Sequence, residues 1–257
     1  MCVAIYKPAG IKTPDLDTLK LCWDANPDGA GMVFPSKQKC NMLEIRKGYM
    51  DWESFAEGYN RLALDKMEEL PLLLHFRIAT AGNVDAGNTH PFPISKYQNT
   101  LRLETLFARY ALVHNGMLDN FKPENNVISD TMQFAIEIAN TGCDPMRVFP
   151  NFKKLIGDSR MALMDRNGTV QLLGRWIDFD GAMFSNEIWQ YGGQLYDDWH
   201  YGEYSDLDLA MDEYSGFFPG GDGPGFEEYL YYEYPELYEE YMEFPSEKSA
   251  SQKFGCC

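Results

Sequence analysis

Residues 161–176 read MALMDRNGTVQLLGRW. Two apolar runs, 161–164 and 170–173, flank Asn167-Gly168. Both residues of that dipeptide tolerate the positive φ that a tight hairpin turn demands, so the stretch predicts two antiparallel strands around it. Working outward, 111–116 (ALVHNG) reads as a strand running into a turn, and 70–78 (LPLLLHFRI) as a buried strand. Short strands are also expected at 2–6 (CVAIY), 31–34 (GMVF) and 42–46 (MLEIR). Helical spacing appears in Leu16, Leu19 and Trp23, with Pro14 expected at the first helical position and 26–29 (NPDG) as the stop. Trp52, Phe55, Tyr59 and Leu62 make a second helical face, and Ser129 is placed to cap a third helix carrying Phe134 and Ile138. The body is therefore expected to be mixed α and β.

Charge divides the chain. It carries 22 Lys plus Arg against 39 Asp plus Glu, a net of −17. Residues 1–175 hold 20 of each sign, whereas 176–247 hold 19 acidic residues and no Lys or Arg. The negative excess argues against gripping nucleic acid phosphates, which takes Lys and Arg. No apolar run of 18 residues is present, so no membrane span is expected. The first 30 residues lack the basic-then-apolar pattern of an export signal. Together with six cysteines in no metal-type or disulfide-framework spacing, this predicts a cytoplasmic protein with reduced thiols. Hydrophobic residues at 45% suffice for a packed core.

The polar chemistry is concentrated in a few blocks. They are Cys2 at the start, HFRIATAGN (75–83), NTHPF (88–92), VHNGMLDNF (113–121) and SDT (129–131). This ordered set resembles the class II glutamine amidotransferase domain, of the N-terminal nucleophile hydrolases, whose members carry Met-Cys, H-x-R-x-A-T-x-G, N-x-H-P-F-like, V-H-N-G and S-D-T blocks in that order. The resemblance covers roughly residues 1–195 and continues through the hairpin into FSN (184–186). It implies an α+β fold of the four-layer αββα sandwich type, two stacked antiparallel sheets flanked by helices. Residues 196–257 would be an acidic, Tyr-rich extension, too short and too polar for a second catalytic domain.

The resemblance also implies roles. Removal of Met1, which is cleaved when a small residue follows, would leave Cys2 with a thiol nucleophile and a free α-amine as base. That amine has an intrinsic pKa of about 8, in the useful range for a general base. Arg77, a planar fork of donors, would hold the α-carboxylate of glutamine and Asp130 its ammonium. Thr80 and His90 would line the same pocket. The Asn115 side-chain amide and the Gly116 N–H would form an oxyanion hole. The expected reaction is hydrolysis of the glutamine side-chain amide through a γ-glutamyl thioester, with ammonia passed to a separate synthase partner. No metal and no cofactor are implied. Val3, Ile78 and Ala81 depart from the Gly, Trp and His of the better-known fused enzymes, and NPDGAGMVF (26–34) resembles small stand-alone members instead. Two alternatives stand beside glutamine hydrolysis: a hydrolase of γ-glutamyl amides or dipeptides, and a non-catalytic binding or regulatory protein that works through its acidic tail.

Eleven of the sixteen tyrosines fall in 191–241, an aromatic density that purely solvating segments lack. The tail is therefore expected either to be a solvated, partly disordered extension, as its charge suits, or to dock on its own body or on a basic partner surface, as its tyrosines suit. Deleting 196–257, or raising salt, is expected to weaken binding to a synthase partner in a pull-down titration, and binding indifferent to both refutes it.

Overall fold

The computed structural model describes residues 2–63, 67–79, 82–123 and 127–191. Strand β1 (Val3–Lys7) leads to helix α1 (Leu16–Ala25), β2 (Ala30–Pro35), β3 (Leu43–Tyr49), α2 (Trp52–Ala63) and β4 (Leu72–Phe76). There follow β5 (Phe92–Pro93), α3 (Gln98–Leu101), β6 (Thr105–Ala108), β7 (Tyr110–Asn115), α4 (Asp130–Asn140) and α5 (Pro145–Val148). The last described strands are β8 (Arg160–Asp165), β9 (Val170–Leu173), β10 (Ile177–Phe179) and β11 (Ala182–Phe184). The fold is thus mixed α+β. Among the described residues, one sheet has seven strands in the order β10-β11-β1-β4-β2-β3-β6, the other four in the order β5-β7-β8-β9, and every pairing is antiparallel.

Local chemistry accounts for the element ends. The β8–β9 hairpin forms as expected, with Met164 opposite Val170. The Asp165 carboxylate accepts from the N–H groups of Asn167 and Thr169 across the turn, and Gly168 takes φ 83°. The hairpin stops short of the expected residue 176. The Trp176 indole donates to the Leu173 carbonyl, closing the strand end, and β10 joins the other sheet. Ser129 caps α4 by accepting from Met132 N–H. At α1 the expectation for Pro14 is corrected: the Asp15 carboxylate accepts from Thr18 N–H at 2.8 Å and becomes the cap, leaving Pro14 outside the helix.

Alternation along the strands sorts the apolar residues into three clusters. Val3, Ile5, Met32, Phe34, Leu72, Leu74 and Phe76 pack with Leu19, Cys22 and Trp23 of α1 and Phe55, Tyr59 and Leu62 of α2. On the smaller sheet, Leu112, Met161 and Leu163 pack with Met132, Phe134, Ala135 and Ile138 of α4. The third cluster joins the remaining faces: Ala4, Val33, Leu43, Ile45 and Leu73 of the larger sheet meet Ala111, Val113, Ala162 and Met164 of the smaller. Strand β7 lies against β1, β3 and β4 there. No helix among the described residues is long and apolar enough to cross a membrane.

Phe55 is fully buried and its ring meets those of Trp23, Tyr49, Trp52, Tyr59 and Phe76. Phe55→Ala is expected to destabilise the fold by about 3–5 kcal/mol, read as a lowered midpoint in urea titration.

Candidate active site

The alternation that builds the third cluster continues past its apolar members. Ala4 belongs to that cluster, so Cys2, two residues earlier, falls on the same side of its sheet. Leu73 is followed on that side by His75 and then Arg77, and Val113 is followed by Asn115. Arg160 is the register partner of Asn115 and precedes Ala162 on the same face. Cys2, Arg77, Asn115 and Arg160 are thereby set at the ends of strands whose middles form a dry, apolar layer.

Cys2 is half-buried, and its Sγ pairs with both backbone groups of Ile78: it accepts from the N–H at 3.4 Å and donates to the carbonyl at 3.3 Å. Burial pushes the thiol up from its ordinary range; the Ile78 N–H and the Arg77 guanidinium pull the other way, and Asp130 adds to the rise. A thiol held protonated in this way needs a base to become a nucleophile.

Ser185 and Asn186, just past β11, hold this end of β1. The Ser185 hydroxyl accepts from Ala4 N–H at 2.9 Å and from Asn115 Nδ2 at 3.0 Å, tying the two sheets together. The Asn186 amide donates to the Cys2 carbonyl at 2.7 Å. Asn115 is fully buried, and only one of its two amide hydrogens is used among the described residues. Its Oδ1 has no partner there. Gly116 takes φ 141°, and a Cβ on it would come within 2.2 Å of Ser159 Oγ, so this turn admits no side chain.

A cavity of about 530 Å³ opens beside Cys2. Asn115 and Gly116 line it with Cys2, and segment 154–160 together with Met117, Asp119 and Asn120 forms the rest. Three of the sequence-expected residues, Cys2, Asn115 and Gly116, are therefore brought together. Arg77 and Asp130 are near enough to act on the Cys2 charge but do not line that cavity. Arg77 is buried; its guanidinium donates to the Asn83 carbonyl, and its backbone bonds Gly29 and Asp28. Asp130 accepts from Leu118 N–H at 2.9 Å and Thr131 N–H at 2.7 Å, fixing the loop after Gly116 to the start of α4. Thr80 lies outside the described residues, as do Met1 and 196–257.

His90 stands apart from the cavity. Its ring is buried between His75 at 4.0 Å and Phe92 at 4.4 Å, with neither nitrogen hydrogen-bonded among the described residues. His75 Nε2 pairs with the His114 carbonyl at 2.8 Å, and His114 Nδ1 with the Thr131 hydroxyl at 2.8 Å. Lys47 was not anticipated. It follows Leu43 and Ile45 on the inner face of β3, and its ammonium donates to the carbonyls of Gly87, Thr89 and Leu101. Those bonds anchor the segment that carries His90. The period-2 position of a lysine after two core residues was the available signal. Ser185 and Asn186 fall in the FSN stretch that the resemblance reaches, but local pattern gives their contacts no signal, because the partners lie 70 and 184 residues away.

With known proteins for comparison, the chain matches no family model and no curated sequence.

Burial holds the histidines neutral: it lowers His75 to about 3 and His114 to about 4, and pushes His90 well down. In the unfolded chain each ring takes up a proton below about pH 6.5. The unfolded state then binds more protons than the native state, so stability falls as pH drops from about 6.5 toward 4. The slope is up to about 1.4 kcal/mol per pH unit for each ring. Urea midpoints at about pH 7 and about pH 5 measure this, and equal midpoints count against it.

Proposed function

We propose that the protein is an N-terminal cysteine amidohydrolase of the class II glutamine amidotransferase type, acting on the side-chain amide of glutamine. The observation that carries this reading is the convergence of Cys2, Asn115 and Gly116 on one cavity, with Ser185 bonded to both Asn115 and the strand that bears Cys2. The proposal extends to the layering. Helices on one sheet, a sheet-to-sheet core and helices on the other sheet are what an αββα sandwich of the N-terminal nucleophile hydrolases requires, and the three apolar clusters support that order.

In this mechanism Met1 is removed, and the freed α-amine of Cys2 takes the thiol proton. Sγ attacks the amide carbon, forming a C–S bond as the carbonyl oxygen gains charge. The second Asn115 amide hydrogen and the Gly116 N–H receive that oxyanion. Collapse breaks the C–N bond, and the α-amine returns the proton to the departing ammonia. Water then attacks the γ-glutamyl thioester, releasing glutamate and the thiol. Arg77 and Asp130 hold the α-carboxylate and α-ammonium. Both are buried or half-buried beside Cys2, where charge pairing is stronger than in water. Ammonia passes to an acceptor enzyme.

Purified protein is expected to show the intact mass of the chain without Met1 and to release glutamate from glutamine. A glutamine analogue bearing a diazoketone in place of the amide is expected to alkylate Cys2. Cys2→Ala should lose activity by at least about a thousandfold; turnover retained in that variant overturns the mechanism.

A further inference from the structure

The cavity beside Cys2 is much larger than ammonia needs. Ammonia is about the size of a water molecule, whose share of liquid volume is about 30 Å³, against the cavity's roughly 530 Å³. Nor is it the place for the glutamyl part, since Arg77 and Asp130 are absent from its lining. What it does contain is an apolar lip and two cations. Met117 is 66% and Leu155 48% exposed, which is unusual for large apolar side chains grouped at one opening. Lys154 is exposed and makes no ion pair among the described residues. Arg160 is half-buried; its Nη1 donates to the Asp158 carbonyl at 2.7 Å, and its Nε is buried with no hydrogen-bond partner among the described residues. Of the two acids in the lining, Asp119 is already paired with Lys122 at 2.9 Å, and Asp158 is exposed.

We propose that this cavity receives the leaving half of a γ-glutamyl amide whose nitrogen bears a carboxylate, as in a γ-glutamyl amino acid, with Arg160 as the main carboxylate contact and Lys154 as a second. The inference rests on the nucleophile reading above and adds the nitrogen substituent to it. Arg77 and Arg160 then flank Cys2 from opposite sheets, one for the carboxylate of each half of the substrate. A guanidinium suits this because its fork meets a carboxylate through two parallel hydrogen bonds. The bonds made and broken are those of glutamine hydrolysis. Sγ–C forms, C–N breaks, the amino acid leaves with the proton that the thiol gave to the α-amine, and water cleaves the thioester to glutamate. One water is consumed per amide bond.

The test compares γ-glutamylglycine with γ-glutamylmethylamide, which present the same bond with and without the carboxylate. The purified protein is expected to favour γ-glutamylglycine in kcat/KM by about tenfold or more, the factor of one charge-assisted contact. Arg160→Gln should collapse that ratio toward one, while Arg160→Lys, which keeps the charge, retains part of it. Thermal unfolding of each variant checks that the fold survives, and the ratio remains readable at any residual activity. A ratio near one in the unaltered protein overturns the proposal, as does Arg160→Gln lowering both substrates in parallel. If the diazoketone still labels Cys2 and glutamine still turns over, only this inference has failed. If neither labelling nor turnover of any of the three amides occurs, the nucleophile reading fails with it.

Discussion

Two sheets packed face to face have to fill the gap between them with alternate side chains, and everything at the candidate site follows from how these strands do so. Their middles contribute small or aliphatic residues, Ala4, Val33, Leu73, Ala111, Val113 and Ala162. Their ends contribute Cys2, Arg77, Asn115 and Arg160. The polar groups therefore sit at the rim of a dry layer. There, desolvation is strong enough to shift the thiol, yet a cavity still opens beside it. A single hydroxyl, that of Ser185, bonds the backbone of one sheet and a side chain of the other at this rim. Loss of register by one residue in β1 or β7 would turn Cys2 or Asn115 away from the gap.

Much of this was legible from short-range pattern. Asn167-Gly168 marked a hairpin because the turn's chemistry is local, and Phe55, Tyr59 and Leu62 marked a helix face because a helix is periodic in itself. Ser129 capped α4 for the same reason. Pro14 misled because two residue types suited to a helix start were adjacent, and the carboxylate of Asp15 won the N–H groups. The short strands β5 and β6 offered too few residues for a period to show. Sheet order was not legible at all: β1 sits between β4 and β11, and nothing near residues 3–7 encodes a partner at 182–184.

The histidines show the difference between residue type and environment. A histidine near a cysteine suggests acid–base work, but here three imidazoles are buried and held neutral, with His75 and His90 stacked. Their work is structural. His75 reaches across the gap to the His114 carbonyl, and His114 reaches the hydroxyl of Thr131 beside Asp130. Lys47 does the same from the other side, gathering three carbonyls under the segment that ends in Phe92. In the mechanism proposed above, proton transfer at Cys2 is then left to a group outside this cluster.

Strand β1 is completed on one side by β11, and the Cys2 carbonyl is tied to Asn186. The Cys2–Asn186 bond spans 184 residues of sequence, and β1 gains its second neighbour only from 182–184. A contact of that separation closes a long loop, which costs chain entropy that local pairings do not. The edge of the cavity at Cys2 is thus a late-closing part of the fold: the hairpins and helices around it can form from nearby residues, whereas this seam needs both ends of the described body at once.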